Sequence, residues 1–427
     1  MQIHIVQAGQ SLFEIAQIYD ATIGAIAGAN EISNPNQLVV GQAIVIPILG
    51  SYYLVQPGDS LYSIAKRFGT DYQTLAMIND LNPNRPIPVG LRLYIPPQPK
   101  SNLEINAYAE PAADKISPEL EQSVRSAAPH LTYLAPFSFQ IRKDGTLKEP
   151  PLNNFKEIAD NSGAILLMAV TNIEQGQFSM ELGRLILTDQ QLQKTLLDNI
   201  TAVAKRLDFK DIHFDMEHLP PELKESYNDF LRTAKTRLSA QGFLMSSALA
   251  PKTSATQAGA WYEAHDYKAH GQIADFVVIM TYEWGYSGGP AMPVSPLPQV
   301  RQVIEYALTE MPASKIMMGQ NLYGYDWTLP FVQGSTARAI SPQNAISLAV
   351  NNNAAISYDT KAQAPHFDYT DLNRKRHTVW FEDARSIQAK FNLVKELDLR
   401  GVSYWRLGIP FPQNWLLIED NFNVVKR

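Results

Sequence analysis

The chain has 427 residues and carries 36 lysines and arginines against 42 aspartates and glutamates, so its formal net charge is −6. This length allows several domains, and the slightly acidic balance gives no basic footprint for nucleic acid or for an anionic membrane surface. The absence of cysteine excludes disulfides, thiolate metal sites and a cysteine nucleophile.

Neither a metal site nor a targeting segment is visible in the sequence. The eight histidines lack HExxH or a similar ligand spacing, so we expect no metal and no cofactor. The N-terminus has no basic segment followed by a long apolar stretch, and no window approaches about 18 apolar residues. We therefore predict no signal peptide and no membrane span. Neutral polymers are the favoured partners, and the sequence leaves the oligomeric state open.

The first part of the chain is an internal repeat. Residues 5–47 and 54–96 match without a gap at a constant offset of 49 residues. Each copy predicts a short strand, a glycine turn, a helix capped by Ser11 or Ser60, a second helix and a final strand, which is a βααβ unit. Units this small carry neither paired acids nor a nucleophile beside a base, so binding is their natural role.

The repeat resembles the LysM module. The matching features are the loop and helix start over residues 53–61, the helix over 64–68, and the strand over 93–96 that follows Val89-Gly90. The resemblance implies binding of N-acetylglucosamine units of peptidoglycan or chitin, with two modules gaining avidity on a repeating polymer. It implies these groove residues: Gly9, Gln10, Ser11, Leu12 and Asn30 in one copy, and Gly58, Asp59, Ser60, Leu61 and Asn79 in the other.

Those ten positions also have a structural interpretation. Glycines serve turns, serines cap helices and leucines fill cores, whether or not a glycan binds. After the repeat, residues 96–102 read Pro-Pro-Gln-Pro-Lys-Ser-Asn, which indicates a stiff linker. We therefore predict domains at residues 1–49, 50–98 and 99–427.

Beyond the linker, eight short apolar segments alternate with helical segments. This pattern predicts an α/β fold, a (β/α)8 TIM barrel, with an insertion over 327–382 between its last two strands. The predicted strands cover 103–109, 131–138, 164–171, 211–217, 243–249, 275–282, 315–322 and 400–406. The predicted helices include 117–127, 189–206, 221–239, 297–310 and 383–397.

The fourth predicted strand, Asp211-Ile-His-Phe-Asp-Met-Glu217, is the most informative stretch. Its period of two places Asp215 and Glu217 on one face, about 7 Å apart along the chain. Two close acids cannot both ionise cheaply, so one keeps a proton that it can donate to a leaving oxygen. This predicts glycoside cleavage at the C-terminal end of a barrel strand. The alternative is that these acids cap the next helix or face water.

Three motifs resemble glycoside hydrolase family 18 over about residues 102–427. They are Asp215-Met216-Glu217 on the fourth strand, Met280-Thr281-Tyr282 on the sixth and Tyr404-Trp405 on the eighth. Residues 281–290, 323–327 and 380–386, together with the paired LysM modules, resemble the spore cortex-lytic N-acetylglucosaminidases of endospore-forming bacteria. Two positions depart from chitinases, which usually have Asp where this chain has His213 and Glu283.

The resemblance implies retaining, substrate-assisted hydrolysis through an oxazolinium intermediate. Glu217 would act as general acid and then base, Asp215 would orient the acetamide, and Tyr282 would donate to the acetamide oxygen. Trp405 would form the floor of subsite −1. Further predicted sugar contacts are Glu283, Asn172, Asn321, Asp326 and His213.

The implied reaction is cleavage of the β-1,4 bond after N-acetylglucosamine in peptidoglycan, in the spore cortex during germination. The implied location is the coat or cortex of an endospore, reached without a signal peptide, and the implied partners are peptidoglycan glycan strands. A chitinase or chitooligosaccharide hydrolase is one alternative. A lectin-like, non-catalytic spore coat protein that binds peptidoglycan is the other.

Overall fold

The computed structural model describes residues 1–112, 115–259 and 261–427. Both repeat copies have the predicted βααβ order, and each pairs its two strands antiparallel. We call residues 1–49 unit 1 and residues 50–98 unit 2. Their elements are β1 (Gln2–Ile5), α1 (Leu12–Tyr19), α2 (Ile23–Ala29) and β2 (Ala43–Ile46), then β3 (Ser51–Leu54), α3 (Leu61–Arg67), α4 (Tyr72–Ile78) and β4 (Arg92–Ile95).

Short polar side chains fix the helix ends in both units. Ser11 accepts from the backbone N–H of Glu14 while the Glu14 carboxylate accepts from that of Ser11, which is a capping box. Ser60 caps α3 in the same way. The repeated serine therefore begins α1 and α3 at equivalent positions of the two units through the same local hydrogen bonds.

Residues 101–321 contain the first seven strands of a parallel barrel and several short flanking strands. The strands are β5 (Ser101–Ala109), β6 (Tyr133–Pro136), β7 (Phe139–Ile141), β8 (Leu147–Lys148), β9 (Ile165–Thr171), β10 (Ile173–Glu174), β11 (Gln177–Phe178), β12 (Asp211–Asp215), β13 (Leu244–Leu249), β14 (Phe276–Ile279) and β15 (Ile316–Asn321). The helices are α5 (Pro118–Ala127), α6 (Phe155–Ser162), α7 (Met180–Thr188), α8 (Gln190–Leu207), α9 (Lys224–Ser239), α10 (Tyr267–Ile273) and α11 (Leu297–Glu310).

An insertion follows β15 and precedes the eighth barrel strand. It comprises β16 (Gly324–Leu329), β17 (Arg338–Ile340), α12 (Pro342–Asn351), β18 (Ser357–Asp359), β19 (Ala364–Thr370) and β20 (Arg376–Trp380). These strands form one antiparallel sheet in the order β17-β16-β20-β19-β18. The insertion begins three residues earlier than the predicted 327, because β16 starts at Gly324.

The chain then returns to the barrel through α13 (Ala384–Glu396), β21 (Gly401–Trp405), α14 (Pro412–Asn421) and β22 (Phe422–Val424). The barrel closes in the order β5-β6-β9-β12-β13-β14-β15-β21, with β21 pairing β5. All eight predicted strands are therefore confirmed. Helices α6, α7, α10, α12 and α14 were not among those predicted.

The two units differ in what they pack against. Ala43 and Val45 of unit 1 belong to the main barrel core, and Val39 belongs to the core of the insertion. The core of unit 2 is built from its own residues, among them Ile64 and Leu75. Within the part of the chain that the structure describes, no helix is long and apolar enough to cross a membrane.

Candidate active site

The paired acids lie where β12 ends. In β12, flanked by β9 and β13, Ile212 and Phe214 point into the apolar layer and are fully buried. The alternate face carries Asp215 and, two residues on, Glu217, which are 5% and 9% exposed. The period of two thus brings both carboxyl groups to the C-terminal end of the barrel, as the sequence predicted.

A cleft of about 280 Å³ opens above these acids. Its walls come from the ends of seven barrel strands, all except β15, and from the segments that follow them. It is lined by Tyr108, Glu110, Phe137, Ile173, Gly176, Phe178, Asp215, Glu217, Trp261, Met280, Tyr282, Glu283 and Trp405. The predicted residues Glu217, Asp215, Tyr282, Trp405 and Glu283 are therefore brought together in one cleft.

Burial shifts the titration of both acids in the same direction. Desolvation raises the pKa of Asp215 to about 7. Desolvation, and then the negative charge of Asp215, raise the pKa of Glu217 well above its usual range, and the Trp261 hydrogen bond lowers it in part. Because one charge disfavours the other, the pair readily holds a proton near neutral pH.

Glu217 is held on two sides. The indole N–H of Trp261 donates to its Oε2. Asn172 clamps its backbone, since the Asn172 side chain accepts from Glu217 N at 3.0 Å and donates to Glu217 O at 2.9 Å. His265 donates to the Met216 carbonyl at 3.0 Å, because its other ring nitrogen accepts from the Ala250 N–H. The acid and the backbone that carries it are therefore fixed by side chains from the segments that follow two strands, β9 and β13.

A buried chain of hydrogen bonds runs beneath the acids. The Tyr108 hydroxyl contacts His213 Nε2 at 2.8 Å, and His213 Nδ1 contacts the Ser246 hydroxyl at 2.8 Å. Ser246 donates to Asp211 at 2.6 Å, so its oxygen accepts from Nδ1–H and Nε2 accepts from Tyr108. Burial lowers the pKa of His213 to about 3 and raises that of Asp211 to about 7. His213 is therefore a neutral link in this chain.

Aromatic rings form the other side of the cleft. The Trp405 ring meets Tyr108 edge-on at 5.5 Å and Phe137 at 4.8 Å between centroids. Tyr282 is 7% exposed and lines the same space. Rings with their faces partly open and hydroxyls nearby are suited to stacking a sugar and bonding its polar substituents.

Glu283 extends this wall toward the insertion. Its Oε1 accepts from the hydroxyl of Tyr323 and, at 3.0 Å, from that of Tyr325. Its backbone has a φ of +69°, a left-handed conformation that is costly for a residue with a Cβ. Two tyrosines at the start of the insertion thus hold this carboxylate at the cleft, and burial raises its pKa.

Four predicted sugar contacts do not line the cleft. Asn172 and His213 are fully buried, and they support the acids from behind as described above. Asn321 is also fully buried and donates to the Tyr323 carbonyl. Asp326 lies in β16, where it pairs with Arg338. The side chains of Asn172, His213 and Asp326 bond to protein groups, whereas Oδ1 of Asn321 has no hydrogen-bond partner among the described residues. Direct contact with sugar stays a prediction for all four.

The predicted groove residues of the two units divide into two sets. Gly9, Gln10, Gly58 and Asp59 lie in surface loops, and Ser11 and Ser60 are the exposed caps. Leu12 and Leu61 are core residues, which fits their structural interpretation, and their contact with glycan stays a prediction.

Asn30 is 2% exposed and joins α2 to β2, accepting from Val45 N at 2.8 Å. Asn79 makes the equivalent bond to Tyr94 N at 2.6 Å. The amides of both asparagines thus hold their own units together, and their direct contact with glycan stays a prediction.

Sequence reasoning missed several residues of the cleft. Tyr108 ends the first barrel strand on its inward face, so the period of two that identified Asp215 also points to it. Trp261 carries no such signal, because it lies in the irregular loop between β13 and α10. The remaining missed residues are Glu110, Phe137, Ile173, Gly176, Phe178 and Met280. Among the residues that the structure describes, no group of three or more His, Asp or Glu could hold a metal ion.

Comparisons with known proteins match both parts of the chain. Residues 108–409 match the family model of glycosyl hydrolases family 18, and residues 4–47 and 53–96 each match the LysM domain. The cortical fragment-lytic enzyme of Bacillus subtilis (strain 168) is 62% identical over 428 residues, which cover 100% of this chain and 99% of that protein. The enzyme of that name from Bacillus anthracis is 52% identical over 429 residues, with 100% of each chain covered.

A solved structure extends the similarity to three dimensions. The crystal structure of the spore cortex-lytic enzyme SleL of Bacillus megaterium QM B1551 matches with a TM-score of 0.92 at 55% identity. The match covers 100% of this chain and 99% of that one. The two N-terminal units and the barrel are therefore shared along the full length.

Proposed function

The chain belongs to glycoside hydrolase family 18, and on that premise we propose that it hydrolyses the β-1,4 bond after N-acetylglucosamine in peptidoglycan of the spore cortex. The observation that carries this proposal is the buried pair of Asp215 and Glu217 at the foot of an aromatic cleft. The names of the relatives support cortex glycan as the substrate, and the two LysM units support binding to the same polymer.

Glu217 is the general acid and then the general base. Its raised pKa keeps it protonated near neutral pH, and it lies in the cleft where a glycosidic oxygen can reach it. After the bond breaks, the ionised carboxylate takes a proton from the incoming water. Trp261 and Asn172 position it for both steps through the bonds described above.

The nucleophile is the substrate's own acetamide oxygen, as in the family's general mechanism. Asp215 accepts from the acetamide N–H and stabilises the positive charge of the oxazolinium. The Tyr282 hydroxyl donates to the acetamide oxygen, and Trp405 stacks beneath the ring in subsite −1. The acetamide is therefore required, so only an N-acetylated sugar in subsite −1 reacts.

The test is digestion of purified spore cortex and of its soluble fragments, with product ends identified by mass spectrometry. We expect wild type to release N-acetylglucosamine reducing ends. Glu217→Gln should release them at least about 100-fold more slowly, because the variant has no acid proton. Asp215→Asn should lose rate on the same scale.

A matched control is Glu222→Gln, which removes an exposed carboxyl of the following segment that pairs with Arg184. It should keep wild-type activity. Muramic reducing ends would contradict the bond assignment. Absence of any product from wild type, with the protein still bound to cortex, would favour a non-catalytic binding protein. Equal or faster cutting of chitin oligomers would favour a chitinase.

A further inference from the structure

A second cavity of about 220 Å³ adjoins the cleft, and we call it the side cavity. It shares four lining residues with the cleft, which are Glu110, Phe137, Ile173 and Gly176. The two spaces are therefore contiguous at the ends of the first three barrel strands. A ligand longer than one sugar can therefore extend from the cleft into this opening.

The lining of the side cavity is largely polar, whereas that of the cleft is largely aromatic. Gln140 on β7 lies directly opposite Lys148 on β8 in the antiparallel register, so both side chains stand on the same face of this hairpin. Both contribute to the lining, together with Ser138. Among the described residues, the amide of Gln140 forms no hydrogen bond, although it lies at a half-buried position. This amide can bond a ligand in the side cavity.

The carboxylates around the side cavity are already paired. Glu110 pairs with Arg406 at 2.9 Å, and Glu149 pairs with Arg206. Ser138 and Thr171 bond each other through their hydroxyls at 2.8 Å. The amide of Gln140 can therefore bond a ligand without breaking one of these contacts.

The proposed substrate supplies a group that needs such a space. Peptidoglycan alternates N-acetylglucosamine with muramic residues, so N-acetylglucosamine in subsite −1 places a muramic residue on both sides of it. Each muramic residue carries a lactyl ether on C3, closed into a lactam or extended by amino acids. Both forms present an amide carbonyl, whereas chitin has a hydroxyl at that position.

Resting on the proposed function, we propose that the side cavity receives the lactyl-derived amide of the muramic residue next to subsite −1. Gln140 donates to the amide carbonyl. Lys148, beside it on the hairpin, faces the carboxylate when the substituent ends in an amino acid. The side cavity thereby selects muramic glycans over unsubstituted N-acetylglucosamine chains.

The test compares three tetrasaccharides as substrates of the full chain: one with muramic lactam, one with alanyl-muramic acid, and one of N-acetylglucosamine alone. Gln140→Ala should lower kcat/KM about 3- to 10-fold on both muramic substrates, the effect of one neutral hydrogen bond. Gln140→Trp, which fills the side cavity, should lower it more than 10-fold. Neither variant should change kcat/KM on the unsubstituted tetrasaccharide.

The matched control is Gln177→Ala, an exposed amide on the adjacent hairpin that is not part of the lining. Lys148→Met should lower kcat/KM on the alanyl substrate alone. This result would distinguish recognition of the alanyl amide from recognition of the lactam amide. Equal losses on all three substrates, or no loss with Gln140→Trp, would overturn the assignment. A wild type that cuts neither muramic tetrasaccharide would instead refute the proposed function, and the side cavity assignment with it.

Discussion

Units 1 and 2 share one sequence pattern, and yet only unit 1 is built into the rest of the molecule. The carbonyl of Val40 accepts from Ile356 N at 2.8 Å, and Arg385 donates to the carbonyl of Gly41 at 3.1 Å. The N-terminal ammonium pairs with Asp420 of α14 at 2.6 Å. For the described residues of unit 2, no hydrogen bond, ion pair or ring contact to the barrel or insertion is found.

A repeat can therefore keep its fold while its copies pack against different neighbours. Unit 1 fills space between the barrel and the insertion, and its contacts tie those two parts together. Unit 2 depends on its own core and on contacts with unit 1, such as that of Gln2 with Tyr52 N at 2.8 Å. We therefore predict that unit 1 unfolds with the barrel and that unit 2 unfolds separately.

The largest effect is expected at two glycines that occupy the same place in the repeat. Gly41 and Gly90 have φ of +83° and +82°. A Cβ on Gly41 would lie 1.8 Å from the carbonyl oxygen of Ile356, whereas a Cβ on Gly90 would meet nothing within 4 Å. Both Ala variants bear the cost of a left-handed residue, about 1–2 kcal/mol, and overpacking adds about 1–3 kcal/mol in Gly41→Ala alone.

Calorimetry distinguishes the two variants. Gly41→Ala should lower the melting temperature of the barrel transition by several degrees, and Gly90→Ala should lower only that of unit 2. A shift of the barrel transition in Gly90→Ala, or none in Gly41→Ala, would contradict the division between the units.

The next effect concerns the paired asparagines. Asn30→Ala and Asn79→Ala each leave backbone groups of a helix end and a strand without partners, which costs about 2–3 kcal/mol. Asn30 also touches Gln413 at 3.3 Å, and its carbonyl accepts from Gln343. We expect Asn30→Ala to reduce the half-life of activity on a soluble substrate at elevated temperature, and Asn79→Ala to leave it unchanged. Equal half-lives of Asn30→Ala and Asn79→Ala would contradict this expectation.

The titration of Asp211 gives a smaller effect that follows pH. Its folded pKa of about 7 lies above its unfolded value, so the stability it contributes is complete below about pH 4 and is lost as pH rises to about 7. This loss lowers the free energy of unfolding by on the order of 2 kcal/mol between pH 5 and pH 8, and Asp211→Asn removes it.

The melting temperature of the barrel should therefore fall less between these pH values in Asp211→Asn than in wild type. The transition of unit 2 should behave alike in both proteins, because Asp211 lies within the barrel. An unchanged fall in the barrel transition would refute the pKa assignment.

The smallest effect is one that the two units should share. Phe13 and Tyr62 occupy equivalent positions beside the first loop of each unit, and they are 57% and 66% exposed. Because aromatic rings stack on sugars, each Ala variant should weaken sedimentation with insoluble peptidoglycan about 2- to 5-fold, and the double variant should weaken it more. A loss from Tyr62→Ala alone would mean that unit 1 no longer binds glycan.

Much of the fold was predictable because its signals are periodic. The alternation of short apolar segments with helical segments identified all eight barrel strands, and the internal repeat identified both units. The short helices α6, α7, α10, α12 and α14 were not predicted, since seven to ten residues give few turns from which to read a helical period. The docking of unit 1 against the insertion could not be predicted from the sequence. Gly41 and Gly90 occupy equivalent positions of the repeat, and only Gly41 has the backbone of Ile356 beside it.

The site was predictable where a strand projects a residue and not where a loop does. Asp215, Glu217, Tyr282 and Trp405 follow from strand ends and motif resemblance, and all four line the cleft. Asn172 follows the third barrel strand in the same way, yet it turns inward to hold the backbone of Glu217. Strand position therefore locates a residue at the rim without deciding whether its side chain faces the ligand or the protein.

The indole of Trp261 makes the two oxygens of the Glu217 carboxyl inequivalent. An indole N–H can only donate, so Oε2 serves as its acceptor, which makes Oε1 the favoured carrier of the acidic hydrogen. In the proposed mechanism the leaving group would therefore approach Oε1, and the attacking water would return a hydrogen to that same atom. Both half-reactions would then use one oxygen of the carboxyl group.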